Sequence, residues 1–302
     1  MSFCLVLISS TKEIPLSQAP LEKVGQVLQD IGIRFSPEWR WLAPGKAAEL
    51  SLMESPGKGA MEKLWEVLAP FKIDALVSPT ENRRKSLLIA DMDATIVQGE
   101  TLDDLAAFAG LKDRISAITA RAMAGELDFK EALKERVSLL QGLSQSALQE
   151  TLAAMKLSPG AETLVRVMRK QGSPCILVSG GFTFFTDAIA NRVGFSANHG
   201  NVLEIENGKL TGRVVPPILD KDAKREFLLS YCARMNESPT CALAVGDGAN
   251  DLPMLQTAGL GVGYRPKPLL RETLANCLFY ADLTALLYLQ GYTWQEIEHA
   301  LH

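Results

Sequence analysis

Residues 86–95, Ser-Leu-Leu-Ile-Ala-Asp-Met-Asp-Ala-Thr, constrain this chain more than any other stretch. Four apolar residues, Leu87 to Ala90, bounded by polar ones have the pattern of a strand buried on both faces, as in a parallel sheet flanked by helices. Two aspartates one residue apart, Asp91 and Asp93, follow at once. Burying a carboxylate is costly unless it is paired or used. In an open α/β sheet, ligands bind in the crevice beyond the carboxyl ends of the strands, where such charge has a purpose. Side chains two apart on an extended chain point the same way, so both carboxylates can face one ligand. The plainer alternative is a strand end that caps the next helix.

Asp-x-Asp-x-Thr at a strand tip suits phosphoryl transfer through an aspartyl-phosphate. A carboxylate is a weak nucleophile toward a dianionic phosphate unless a metal ion neutralises charge on both, and Mg²⁺ takes oxygen ligands. Two further apolar strands end in chemistry of the same kind. Cys241 to Gly246 runs into Asp247-Gly248-Ala249-Asn250-Asp251, and Cys175 to Val178 ends in Ser179-Gly180-Gly181, whose small residues let backbone N–H groups approach a phosphate. With only three histidines in the chain, clustered carboxylates point to a hard-cation oxygen site.

In order, Asp-x-Asp-x-Thr, Ser-Gly-Gly, a lysine and Gly-Asp-Gly-x-Asn-Asp resemble the haloacid dehalogenase superfamily. Within it, the spelling Gly246 to Asp251, with Glu100 and Arg136 between the first two motifs, is similar to the phosphoserine phosphatase family. The resemblance covers roughly residues 85–290 and implies an α/β fold, a Rossmann-like parallel sheet with a helical cap domain inserted after the first core strand at about 99–158. It implies Mg²⁺-dependent hydrolysis of O-phospho-L-serine, with Asp91 as nucleophile and Asp93 as general acid and base. Mg²⁺ would be held by the carboxylates of Asp91 and Asp247 and the backbone carbonyl of Asp93, with Asp251 either orienting a metal-bound water or binding directly.

By the same resemblance Lys224 is the phosphate lysine, with Lys221 one turn earlier as its rival. Ser179, Gly180 and Asn250 contact the phosphate, Arg136 the substrate carboxylate and Glu100 its ammonium group. From the residues alone, a pair of Arg136 with Glu131 or Glu135 on an exposed helix face is the favoured reading, and the family resemblance reverses it. Phe129 and Met123 are candidates for the cap wall, although apolar residues at helical spacing are more often core. Ala94 departs from the family, which usually carries serine there. Phosphoryl transfer to another alcohol such as homoserine, and a non-catalytic amino-acid sensor, are the competing readings of the whole chain.

Residues 1–80 alternate as strand, helix, strand, strand, helix, strand, the order of a ferredoxin-like α+β domain. It resembles the small ACT-like domain that precedes some bacterial members of the family. Its functional reading is a sensor or a homodimerisation module; its plain reading is a structural appendage. Polar residues 81–85 read as a linker, and 86–302 as the catalytic domain with its cap, whose helices are interrupted at Gly110, Gly125 and Gly142. A formal net charge of −4 offers no footprint for nucleic acid or an anionic membrane, and no run approaches a membrane span. The substrate is therefore expected to be a small anion. Five cysteines without a Cys-x-x-Cys, and an apolar start lacking a basic leader, fit a cytoplasmic protein.

Overall fold

The computed structural model describes residues 2–10, 15–123 and 127–302. The break expected at Gly125 and the side chains of Met123 and Lys221 lie outside the described residues. The chain opens with β1 (Phe3–Ser9), the helix Gln18–Asp30, β2 (Phe35–Ala43), β3 (Ala47–Leu52), the helix Lys58–Leu68 and β4 (Ile73–Pro79). These strands form an antiparallel sheet in the order β2-β3-β1-β4, the ferredoxin-like arrangement.

A second sheet is built from β5 (Leu87–Ala90), β6 (Cys175–Phe182), β7 (Ala197–Glu206), β8 (Lys209–Val215), β9 (Ala242–Gly246), β10 (Leu260–Tyr264) and β11 (Cys277–Leu278). Its order is β11-β10-β9-β5-β6-β7-β8, parallel throughout except for the β7–β8 hairpin. The three strands whose tips carry the motifs are therefore neighbours, with β5 between β9 and β6. Leu88 and Ala90 enter one apolar cluster while Leu87 and Ile89 enter the other, so β5 is covered on both faces. Each such fully buried aliphatic side chain contributes roughly 1.5–3 kcal/mol.

Between β5 and β6 the helices Thr101–Phe108, Lys112–Met123, Phe129–Ser138 and Gln145–Ala154 form the expected helical insertion. Its two ends come together where Val97 and Leu157 make an antiparallel bridge, and Gln98 and Ser158 donate backbone hydrogen bonds across it. The helix Phe129–Ser138 is started by a capping box between Asp128 and Glu131.

Three local readings of the sequence need correction: that β6 ends at Ser179, that Phe195 to His199 is a separate short strand before a hairpin around Asn207-Gly208, and that the last helix is Leu283 to Leu289. β6 does not stop at Ser179 but continues through the two glycines to Phe182 with a register irregularity, because the small residues let the backbone bulge without losing the neighbouring strand. The short strand expected at Phe195–His199 and the hairpin arm after it are one strand, β7, which pairs in parallel with β6 and then antiparallel with β8. Beyond the expected tail helix, seen at Ala285–Leu289, a further helix Trp294–Leu301 follows, started by a Thr293–Glu296 capping box.

The segment read as a linker is pinned in place. Lys85 is buried, with its ammonium on the carbonyls of Asn82 and Thr240, and Arg83 pairs with Glu49 of β3 at 2.6 Å while donating to the Leu289 carbonyl. Edge strand β4 is completed by a side chain: the Asn276 amide accepts from Val77 N at 2.7 Å and donates to Val77 O at 2.8 Å, imitating a backbone neighbour. Next to it Asp74, fully buried, accepts from the backbone N–H groups of Phe279, Tyr280 and Ala281. Apolar clusters run through both sheets, so residues 1–80 share a core with the rest of the chain.

Burial outweighs those three N–H donors and pushes the Asp74 carboxyl up to about 6. A raised acid contributes stability that is fully present below about pH 4, the range of an unfolded aspartate, and is lost as pH rises through the folded value. Unfolding free energy should therefore contain a component of ~3 kcal/mol that disappears between roughly pH 4 and 6. In Asp74→Asn that component should be missing; superimposable pH–stability slopes for the two proteins, measured by denaturant titration, would refute it.

Candidate active site

The site is assembled at the carboxyl ends of β5, β6 and β9. Directly after β5, Asp91 is extended, and its Oδ1 accepts from Met92 N at 2.8 Å and from Lys224 Nζ at 2.7 Å. The chain then turns tightly, with Ala94 in the left-handed region at φ 50° and its N–H donating to the Gly99 carbonyl at 2.7 Å. A methyl side chain is tolerated there at a cost of roughly 1–2 kcal/mol, so the turn does not require the serine that the family usually places at this position.

Asp93, the second carboxylate, is held from two sides. Thr101 donates to its Oδ1 through the backbone N–H at 2.8 Å and through the hydroxyl, and Ser179 Oγ donates to Oδ2 at 3.1 Å. Ser179 Oγ also accepts from Gly181 N at 2.8 Å. Burial raises the Asp93 carboxyl, with the Thr101 and Ser179 hydrogen bonds opposing and the Glu100 charge assisting.

After β9, the Asp247–Asp251 turn folds back on itself. Asp251 Oδ2 accepts from the N–H groups of Asp247 and Gly248 at 3.1 and 3.0 Å, and its Oδ1 receives Lys224 Nζ at 2.6 Å. Gly246 is required for this: a Cβ there would lie 2.4 Å from the Asp251 carboxyl carbon. Lys224, on the helix Lys221–Arg234, is thus a buried ammonium between two buried carboxylates. Burial opposes its charge, yet Asp251 and Asp91 hold its pKa above the ordinary lysine value. Asp91 is pushed well up, first by burial and then by Asp251, against the pull of Lys224. Asp247 is raised by burial as well, with Lys267 opposing.

Asp91, Asp247 and Asp251 bring oxygens within 4.8 Å of one another. Asp251 has both oxygens engaged by Lys224 and the backbone, which fits an orienting role. Asp91 uses Oδ1 for Met92 and Lys224, and Asp247 uses Oδ2 for Lys267, so each has a second oxygen for a cation. An all-oxygen, buried, acid-rich set of this kind fits a hard divalent ion such as Mg²⁺.

A cavity of about 170 Å³ opens above these groups. Asp91, Asp93, Asp247, Asn250 and Gly180 form its floor, while Glu100, Phe129 and Arg136 come from the helical insertion. Ser179 and Lys224 stand behind the floor, against Asp93 and Asp91. Arg136 does not take up the helix-surface pairing: Glu131 closes the capping box and Glu135 pairs with Arg121, leaving the guanidinium largely buried at the cavity with Asp103 and Glu100 in its field. Phe129 lies against Gly180.

Three residues at the site were missed from the sequence. Thr101 fixes Asp93; its signal was its place directly after Glu100 in a helix's first turn. Asn201, buried in β7, donates to the Gly180 carbonyl and accepts from Leu219 N, both at 2.8 Å, and so sets the Ser-Gly-Gly bend. Lys267 pairs with Asp247 and Glu100 from just beyond the end of β10.

The family model for haloacid dehalogenase-like hydrolases matches residues 88–256. A phosphoserine phosphatase from Streptomyces coelicolor is 40% identical over 228 residues, covering 76% of this chain and 56% of that protein. The chain spans 53–63% of the length of the first curated relatives it matches. Among solved structures, a HAD family hydrolase from Salmonella enterica serovar Typhi superimposes with a TM-score of 0.82 at 28% identity, over 95% of this chain and 98% of that one. A probable phosphoserine phosphatase from Vibrio cholerae, unliganded, gives 0.76 at 25% identity, over 99% and 88%.

Removing one partner from a buried ionic network leaves the others uncompensated, which costs roughly 3–5 kcal/mol. Lys224→Met should lower unfolding free energy by about that amount when denatured in the presence of a chelator. An unchanged denaturation midpoint would show that Asp91 and Asp251 do not depend on the ammonium between them.

Proposed function

The chain belongs to the haloacid dehalogenase-like hydrolase family, and from that premise we propose that it hydrolyses O-phospho-L-serine to serine and phosphate. The observation that carries this reading is the cavity: one space is lined by Asp91, which has a spare oxygen, and by a guanidinium and a carboxylate, Arg136 and Glu100. A phosphomonoester that also bears a carboxylate and an ammonium group matches those charges. The relatives named as phosphoserine phosphatases support it.

A carboxylate oxygen of Asp91 attacks phosphorus in line, forming the aspartyl-phosphate as the bond to the seryl oxygen breaks. Asp93, whose carboxyl burial raises above the ordinary aspartate range against the Thr101 and Ser179 hydrogen bonds, gives its proton to the departing alkoxide. Water then attacks phosphorus, its proton returning to Asp93, and the Asp91 carboxylate is regenerated. Throughout, Lys224 keeps positive charge beside Asp91 as negative charge crowds around the phosphorus. Asp91, Asp247 and the Asp93 backbone carbonyl would hold Mg²⁺, which when bound neutralises phosphate charge and orients the group being transferred. Arg136 and Glu100 recognise the carboxylate and ammonium ends, and Phe129 helps to exclude water over Gly180.

With magnesium, the protein should release phosphate from phosphoserine far faster than from sugar or nucleotide phosphates, and Asp91→Asn should reduce turnover by ~10³-fold or more without loss of folding. Comparable rates across the panel would remove the substrate assignment; an active, folded Asp91→Asn protein would remove the mechanism.

A further inference from the structure

We propose that Lys267 is a positioning residue that sets substrate selectivity by holding Glu100 over the cavity; this rests on the reading of Glu100 as the ammonium receptor. Lys267 follows β10 between two prolines, and its N–H donates to the Asp247 carbonyl at 2.8 Å, which anchors its backbone at the floor of the site. Its aliphatic stem passes over Gly248, where a Cβ would come within 3.6 Å of it. From there Nζ reaches Asp247 Oδ2 at 3.0 Å and Glu100 Oε1 at 2.9 Å.

The contact to Glu100 joins the body of the molecule to the residue that precedes the first helix of the insertion. Glu100 is close to half exposed, so without a partner its flexible side chain samples several rotamers, most of them turned toward solvent. Held through Oε1, it keeps Oε2 for a substrate cation. One ammonium shared by two carboxylates leaves the trio with a net negative charge, which still attracts an amine. Lysine and the adjacent Asp247 thereby also link the amine-recognising end of the cavity to its phosphate end.

The test is steady-state kinetics of the full chain with magnesium on two esters, phosphoserine and phosphoglycolate, the second lacking the amine. Lys267→Met should raise KM for phosphoserine by about five- to tenfold with a much smaller fall in kcat, lowering the preference for phosphoserine over phosphoglycolate by a similar factor. Lys267→Arg should restore most of that preference, and Lys267→Met combined with Glu100→Gln should be no less selective than Glu100→Gln alone, because both changes act through one carboxylate. Equal losses on both esters would mean that Lys267 acts through Asp247 and the phosphate end, and would overturn the proposal. So would fully additive losses of selectivity in the double variant. Wild-type protein that treats the two esters alike would instead overturn the substrate reading on which the proposal rests.

Discussion

One buried ammonium holds the centre of this molecule together. Lys224 lies between Asp91 and Asp251, and all three side chains are almost wholly withdrawn from water. Two carboxylates brought this close in the interior would repel one another and raise each other's pKa, so the tips of β5 and β9 could not carry them side by side without a cation between. The helix Lys221–Arg234 delivers that cation, and the missing side chain at Gly246 lets Asp251 reach it. The same contacts commit one oxygen of Asp91 to Lys224 and Met92 N and leave its carboxylate lining the cavity.

Around that centre, the placement of Asp93, Glu100 and Arg136 depends on the inserted helices. Asp93 belongs to the β5 tip, but its orientation is set by Thr101, at the start of the first inserted helix. Glu100, next in sequence, is held from the other side by Lys267. The paired chain ends at Val97 and Leu157 form the base on which the insertion stands. Any displacement of the insertion about that base moves Thr101 and Glu100 together, so the orientation of Asp93 and the placement of Glu100 are geometrically linked.

The amino-terminal sheet is bound to the rest by the hydrogen-bonding demand of an edge strand. β4 would expose an unsatisfied backbone edge; Asn276 pairs with the N–H and carbonyl of Val77 there, and the Asp74 carboxylate takes the N–H groups of residues 279–281, adding buried polar groups that fit only one relative placement. The shared apolar clusters do the remainder. Charged residues in the joining segment 81–85 look solvated in a linear chain, whereas Arg83 and Lys85 find carboxylate and carbonyl partners distant in sequence.

Local pattern was sufficient for the strands, their apolar faces and the three motifs at their tips, because strand burial and turn chemistry act over a few residues. The positions of Asp91, Asp93, Asp247, Ser179, Gly180, Lys224 and Asn250 around one centre followed from that pattern and from the family resemblance it carried. Strand continuity through Gly181 and along β7 was not legible, since small and polar residues interrupt the pattern while the hydrogen-bond ladder continues. Nor could the chain alone reveal the contacts of Thr101, Asn201 and Lys267, or choose between partners for Arg136. Those depend on distances between segments brought together only by folding: apolar periodicity determined which elements form, and packing of the insertion and of β10 against the sheet decided which charges meet.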